Sequence, residues 1–209
     1  LYTQPGSPAE EAGLKRGDWI IAANNKKIGS GDYSKYVSAP TQSYTFTLGN
    51  YNGEGFDTLG VTEIPAPRYI EETNLMKTSF ITAGNRTAAY ILYNSFGADD
   101  TETLQNMFVE IAARQPNDII LDLRYNPGGY VSTSQLLSTL LAPQNAMGQT
   151  FLNMTYNDKI AKTESYLFEP SLIPGGTPLA YENLYIITSN NTASASEIVI
   201  NCLRPYLKE

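Results

Sequence analysis

Two strand-to-helix junctions hold the residues of this 209-residue chain best suited to chemistry. One is Thr188-Ser189-Asn190-Asn191-Thr192-Ala193-Ser194-Ala195-Ser196-Glu197. A serine between a strand end and a helix start meets unpaired backbone N–H groups and the positive end of the helix dipole, which together stabilise an alkoxide or an oxyanion. Ser194 and Glu197 also have the spacing of a capping box, which would spend the hydroxyl on the backbone. The other junction is Leu121-Asp122-Leu123-Arg124-Tyr125-Asn126-Pro127-Gly128-Gly129. Paired glycines after a strand let the backbone approach a ligand and aim N–H groups at an anion. A bare tight turn is the plainer account, and phosphate binding has weak support because neither a dinucleotide nor a Walker spacing is present. Together the junctions form the halves of an acyl-transfer site. Ser194 would be the nucleophile, and the N–H groups of Ala195 and of Gly128 or Gly129 would meet at one carbonyl oxygen.

Composition narrows the chemistry further. The chain has no histidine, so neither a Ser-His-Asp nor a Cys-His arrangement can be built. The base for a serine nucleophile then has to be lysine, with its pKa brought down several units from about 10.4 by burial. Cys202 is the single cysteine, which excludes an internal disulfide and a thiolate cluster. It reads as a buried apolar residue of a helix. No metal or organic cofactor is implied. Net charge is −7, from 14 basic against 21 acidic residues, which disfavours nucleic acid or anionic lipid as a partner. Charged residues make up 17% of the chain, below the roughly 25% of an average soluble domain, and Asn, Ser, Thr and Tyr carry the polarity instead. That balance weakly favours an extracytoplasmic setting. There is no apolar run long enough for a membrane span and no signal segment at the start of the chain.

The elements that must position the two junctions follow from periodicity and breakers. Residues 1–64 read as a small β-rich unit. Ser7 caps a short helix opening at Pro8, Trp19–Ala23 is a strand, and Tyr44–Leu48 pairs with Phe56–Ile64 around Gly49-Asn50-Tyr51-Asn52-Gly53. Pro65-Ala66-Pro67 is a plausible linker. Beyond it the pattern becomes strand–helix alternation, which argues for an α/β domain with a largely parallel sheet. Ala88–Tyr93 is a strand, and Asp99 with Glu102 has capping-box spacing before an amphipathic helix bearing Leu104, Phe108, Ile111 and Ala112. Asp118–Leu123 is a buried strand, Val131–Leu141 a helix, Leu184–Thr188 a strand and Ser194–Leu203 a helix. Residues 144–183 read as irregular. Tyr90, Tyr93, Tyr125 and Tyr130 read as core or rim packing rather than a substrate cleft.

At these residues the chain resembles a known family. The stretch LDLRYNPGG, with Ser194 of TASASEI 65 residues after Gly129, resembles the carboxyl-terminal processing peptidases, also called tail-specific proteases. PGSPAEEAGLKRGDWIIAANNKKI resembles the second half of the PDZ domain that precedes their catalytic core, and AAYILYNSF resembles the first core strand of the bacterial envelope members. The resemblance implies an α/β fold with a ClpP/crotonase-like core (residues 66–209) behind a partial β-rich PDZ domain (residues 1–65). It also implies a Ser–Lys dyad that cleaves protein or peptide substrates near their C-termini. By position Ser194 is the nucleophile, with Ser196 the fallback, and Ala195 with Gly128 or Gly129 supplies the oxyanion N–H groups. Asp122 and Arg124 brace the strand end. No cofactor is implied, the location is the periplasm or cell envelope, and a lipid anchor upstream of the chain is compatible with that.

The family's lysine lies some two dozen residues after the serine, near a Gly-Lys pair. This chain ends at Glu209, 15 residues after Ser194, and Lys208 is too early and lacks that context. Residues 1–209 are therefore expected to be an inactive fragment that carries the nucleophile without its base, and without the carboxylate-gripping loop of the PDZ domain. Two rivals remain at this point. One is a noncatalytic PDZ-containing scaffold with a degenerate core. The other is a crotonase-like acyl-CoA enzyme that uses the oxyanion N–H groups without a serine nucleophile.

Overall fold

The computed structural model describes residues 3–207. The chain divides into two compact units, one running to Glu72 and the other starting at Thr73. In the first, a short helix α1 (Pro8–Glu11) is capped by Ser7, whose Oγ accepts from the Glu10 N–H at 3.1 Å. Strands β1 (Trp19–Ala23), β2 (Lys26–Lys27), β3 (Tyr44–Tyr51) and β4 (Phe56–Ile64) form an antiparallel sheet in the order β2-β1-β3-β4. Leu14, Ala23, Tyr36, Tyr44 and Phe46 are its buried core. Tyr36 meets Tyr44 edge to face at 4.9 Å.

The second unit is built on a four-stranded sheet. Its strands are β5 (Leu75–Ala83), β6 (Arg86–Tyr93), β7 (Asp118–Asp122) and, at the other edge, residues Asn183–Ile187. Helix α2 (Thr101–Arg114) joins β6 to β7 and buries Leu104, Met107, Phe108 and Ile111, one face of a 3.6-residue period. Helix α3 (Val131–Leu141) follows β7 and packs against α2. A hairpin of β8 (Thr150–Thr155) and β9 (Thr163–Leu167) comes next, then the edge strand β10 (Asn183–Ile187) and helix α4 (Ala195–Leu203), which packs on α3.

The sheet order is β10-β7-β6-β5. The first three strands are parallel and in register, with Ala88, Asp118 and Asn183 level, whereas β5 runs antiparallel to β6. Parallel pairing brings the C-terminal ends of β7 and β10 side by side, so the loops that leave them are neighbours. The strand interiors are apolar because they are covered: Ala89, Ile91, Ile119 and Leu121 are fully buried.

Three sequence expectations differ from the structure. The Asp99–Glu102 capping box does not form. The N-cap is Asp100, and it makes no side-chain cap bond. Its carboxylate instead accepts from the Tyr93 hydroxyl (2.5 Å), the Gly97 N–H (2.8 Å) and the Asn74 side chain (3.0 Å), because a buried tyrosine hydroxyl must find an acceptor. Residues 144–183 are not wholly irregular, since they contain the β8–β9 hairpin. Phe151 and Phe168 are buried there and meet edge to face at 5.4 Å. Strand β5 also escaped the sequence reading, because as an edge strand it alternates weakly and carries Lys77, Thr78 and Ser79.

At the opposite end of the sheet, Asp118 ties three strands together. Its carboxylate accepts from Arg86 of β6 (2.8–3.0 Å) and from the Asn183 side chain of β10 (2.7 Å). Those bonds, first Arg86 and then Asn183, hold its pKa below the ordinary carboxylate value. A depressed carboxylate pKa contributes stability that is present above about pH 4 and lost as pH falls through the folded value. Urea unfolding of Asp118→Asn between pH 6 and pH 3 is therefore expected to show lower stability at pH 6 and a shallower acid slope than the parent. A slope equal to the parent's would count against this assignment.

Candidate active site

Ser194 stands at the turn from β10 into α4 with φ 55° and ψ −119°. This left-handed backbone is costly for a residue with a Cβ and persists only where surrounding contacts impose it. Strained strand-to-helix turns of this kind present a nucleophile clear of its neighbours, and Ser194 is indeed exposed. The expected capping box is only half built. The Ser194 N–H donates to the Glu197 carboxylate at 2.7 Å, but the Glu197 N–H donates to the Ser194 carbonyl (2.8 Å) and the hydroxyl makes no cap bond. Positive φ turns the side chain away from the helix amides, which leaves the hydroxyl unspent. Ser196, the fallback, is fully buried, and its Oγ donates to the Asn126 carbonyl at 3.1 Å.

The Gly-Gly turn lies directly against this serine. A Cβ on Gly128 (φ 111°) would fall 2.6 Å from the Ser194 Cβ, 2.9 Å from the Ala193 carbonyl and 3.0 Å from the Ala195 nitrogen. On Gly129 (φ 142°) a Cβ would fall 2.2 Å from the Phe96 carbonyl oxygen. Both glycines are thus demanded by φ and by closeness at once. The turn is zipped to the segment after β6: the Phe96 N–H donates to the Gly128 carbonyl (3.0 Å) and the Tyr130 N–H to the Phe96 carbonyl (2.9 Å).

Counting backbone donors shows what the site offers. The Asn126 N–H goes to the Leu123 carbonyl, Pro127 has none, the Gly128 N–H goes to Asn126 Oδ1 (2.9 Å) and the Tyr130 N–H to Phe96. The Gly129 N–H has no acceptor among the described residues. Along Ser194–Ile198 the amides of Ser194, Ser196, Glu197 and Ile198 are spent, and that of Ala195 has no acceptor among the described residues either. Two unspent N–H groups beside an exposed hydroxyl are what an oxyanion site requires.

Supporting bonds hold the two loops together. Ser189 Oγ donates to the Arg124 carbonyl (2.5 Å), Thr192 Oγ1 to the Leu123 carbonyl (2.8 Å), and the Leu123 N–H to the Ile187 carbonyl (2.9 Å). Asp122 is fully buried and accepts from the Arg124 guanidinium (2.6–3.1 Å) and the Tyr90 hydroxyl (2.6 Å). Burial pushes its pKa up, but the hydrogen bonds from Arg124 and Tyr90 outweigh that and hold it below the usual value. The pair is a brace for the strand end. Tyr93 is fully buried against Phe96, while Tyr130 is 59% exposed beside the site.

Cys202 is half-buried, and burial raises its thiol pKa. Among the described residues no group of three or more acidic, Cys or His side chains could hold a metal, and no helix is long and apolar enough to cross a membrane. Lys208 lies outside the described residues. The sequence reading missed Asn126 as a site residue, although an Asn two residues before Gly128 is a visible signal for an Asx-turn.

Comparisons with known proteins show the family. Residues 87–207 match peptidase family S41 and residues 2–43 match the PDZ domain. A Bacteroides fragilis protein assigned to the S41 proteases has a crystal structure similar to the chain at a TM-score of 0.88. It shares 34% identity over 99% of this chain and 56% of its own. The chloroplastic carboxyl-terminal-processing peptidase 3 of Arabidopsis thaliana is 27% identical over 95% of this chain, and the carboxy-terminal processing protease CtpA of Bacillus subtilis 24% over 95%. The chain spans 38% and 39% of the length of these two relatives. With its α/β core and its N-terminal PDZ segment, the chain belongs to peptidase family S41.

Proposed function

We propose that the protein is a serine endopeptidase that cleaves protein or peptide substrates near their C-termini through a Ser–Lys dyad with Ser194 as nucleophile. The observation that carries this reading is the strained backbone of Ser194, whose hydroxyl makes no cap bond to the helix amides and whose Cβ lies against the Gly-Gly turn. Ser194 Oγ attacks the scissile carbonyl carbon and passes its proton to a neutral lysine amine. The resulting oxyanion accepts from the Ala195 and Gly129 N–H groups. Gly128 is set aside as a donor because its amide is already bound to Asn126. Collapse breaks the C–N bond as the lysine returns the proton to the leaving amine, and water then hydrolyses the acyl-enzyme and restores the serine.

In this reading, which follows the family resemblance, the base is a lysine outside residues 1–209, and those residues alone are inactive. The same reading assigns the protein to the cell envelope, in keeping with its low charge density and polar, Asn- and Thr-rich composition.

A serine-directed fluorophosphonate is expected to label the full-length protein on Ser194. Labelling should vanish in Ser194→Ala and persist in Ser196→Ala. Label retained by Ser194→Ala would overturn the assignment. Gly128→Ala drives a methyl group into the Ser194 Cβ and strains a positive φ. It is expected to cost about 1–3 kcal/mol of stability and to slow labelling at least tenfold. A thermal midpoint and labelling rate equal to the parent's would contradict the close approach.

A further inference from the structure

We propose that Asn126 is the positioning residue of this site, setting which amide of the Gly-Gly turn faces the substrate; the inference rests on the acyl-transfer reading above. Asn126 is fully buried, and every polar atom it presents has a partner on a different part of the site. Its Nδ2 donates to the Tyr93 carbonyl at the end of β6 (3.0 Å). Its Oδ1 accepts from the Gly128 N–H (2.9 Å). Its own carbonyl accepts from Ser196 Oγ in the first turn of α4 (3.1 Å). One residue thus links the strand before the turn, the turn itself and the helix that begins after Ser194.

The chemistry of the side chain explains the choice. A carboxamide offers a donor and an acceptor on one short planar group, and here the donor faces a carbonyl and the acceptor an N–H. Aspartate lacks the donor unless protonated, and alanine has neither. Binding Gly128 in an Asx-turn removes that amide from competition. Pro127 contributes no N–H, and the bond from Tyr130 to Phe96 occupies the next amide along. The Gly129 N–H is left, held between two anchored neighbours. Without the Asn126 side chain, the Tyr93 carbonyl and the Gly128 N–H lose these partners in a buried site. The Pro127–Gly128 peptide unit loses its anchor, and the next unit, which carries the Gly129 N–H, is held through the Phe96 bond to the Gly128 carbonyl alone.

The test has two arms. The first needs no catalysis: in the parent protein the Gly128 amide should exchange with solvent deuterium at least tenfold more slowly than the Gly129 amide, and Asn126→Ala should erase that difference. Equal exchange in the parent overturns the inference whether or not the protein is a peptidase. The second arm uses the full-length protein. Asn126→Ala, folded by circular dichroism, is expected to lower kcat on a peptide substrate and the fluorophosphonate labelling rate at least tenfold, with KM within threefold. A loss confined to KM, or labelling within threefold of the parent, overturns it.

Asn126→Asp covers the case in which the alanine variant does not fold. A protonated carboxyl can donate to the Tyr93 carbonyl and accept from Gly128, so the ratio of its labelling rate to the parent's should rise at least threefold from pH 8 to pH 6. A flat ratio overturns the inference. A parent protein that is not labelled on Ser194 at all refutes the peptidase reading instead, and the exchange arm then decides the positioning claim.

Discussion

The close approach of the Gly128 backbone to Ser194 is the constraint on which the rest of the site depends. A side chain on Gly128 would place its Cβ 2.6 Å from the Ser194 Cβ, so no other residue type fits without moving one of the two loops. That closeness sets the Gly-Gly turn against Ser194 and the Ala195 nitrogen. It also commits the Gly-Gly turn to positive φ, which only glycine adopts cheaply. Ser194 bears the opposite burden. It carries a Cβ at φ 55°, and its strain is offset by the Glu197 carboxylate on its amide and by the first turn of α4 behind it.

The parallel sheet makes this closeness possible. β7 and β10 run side by side in register from Asp118 and Asn183 to Asp122 and Ile187, so both chains leave the sheet at the same level. Bonds from Ser189, Thr192 and Leu123 then fasten the two exits to each other, and the Asp122–Arg124 pair with Tyr90 stiffens the end of β7. A charge pair with a fully buried carboxylate is tolerable there because Asp122 is saturated with donors. On the other flank, Asp100 collects the Tyr93 hydroxyl, the Gly97 amide and Asn74, and so secures the segment whose Phe96 backbone clasps the Gly-Gly turn. The acid at the start of α2 thus serves the site's supporting loop rather than its own helix.

Much of this was legible in the sequence. The three parallel strands and the helices of the second unit followed from apolar periodicity and breakers, and the missing histidine excluded imidazole chemistry outright. What escaped was set by distant partners. The β8–β9 hairpin hides behind an Asn- and Thr-rich composition, and its burial of Phe151 against Phe168 depends on contacts across 17 positions of chain. The half-built box at Ser194 reads in one dimension like a complete one, because spacing records which residues can meet but not the φ that turns a hydroxyl away.

The sequence by itself determined the candidates: a serine ahead of a helix and two glycines after a strand. These are local matters of conformational freedom and side-chain reach. The tertiary structure decided which candidates are spent. Ser196 is occupied by the Asn126 carbonyl 70 positions away, Gly128 by Asn126 once Tyr93 has fixed that amide's orientation, and the Gly129 N–H is left without an acceptor among the described residues. Hydrogen-bond donors are single-use, and only the folded chain brings together the acceptors that claim them.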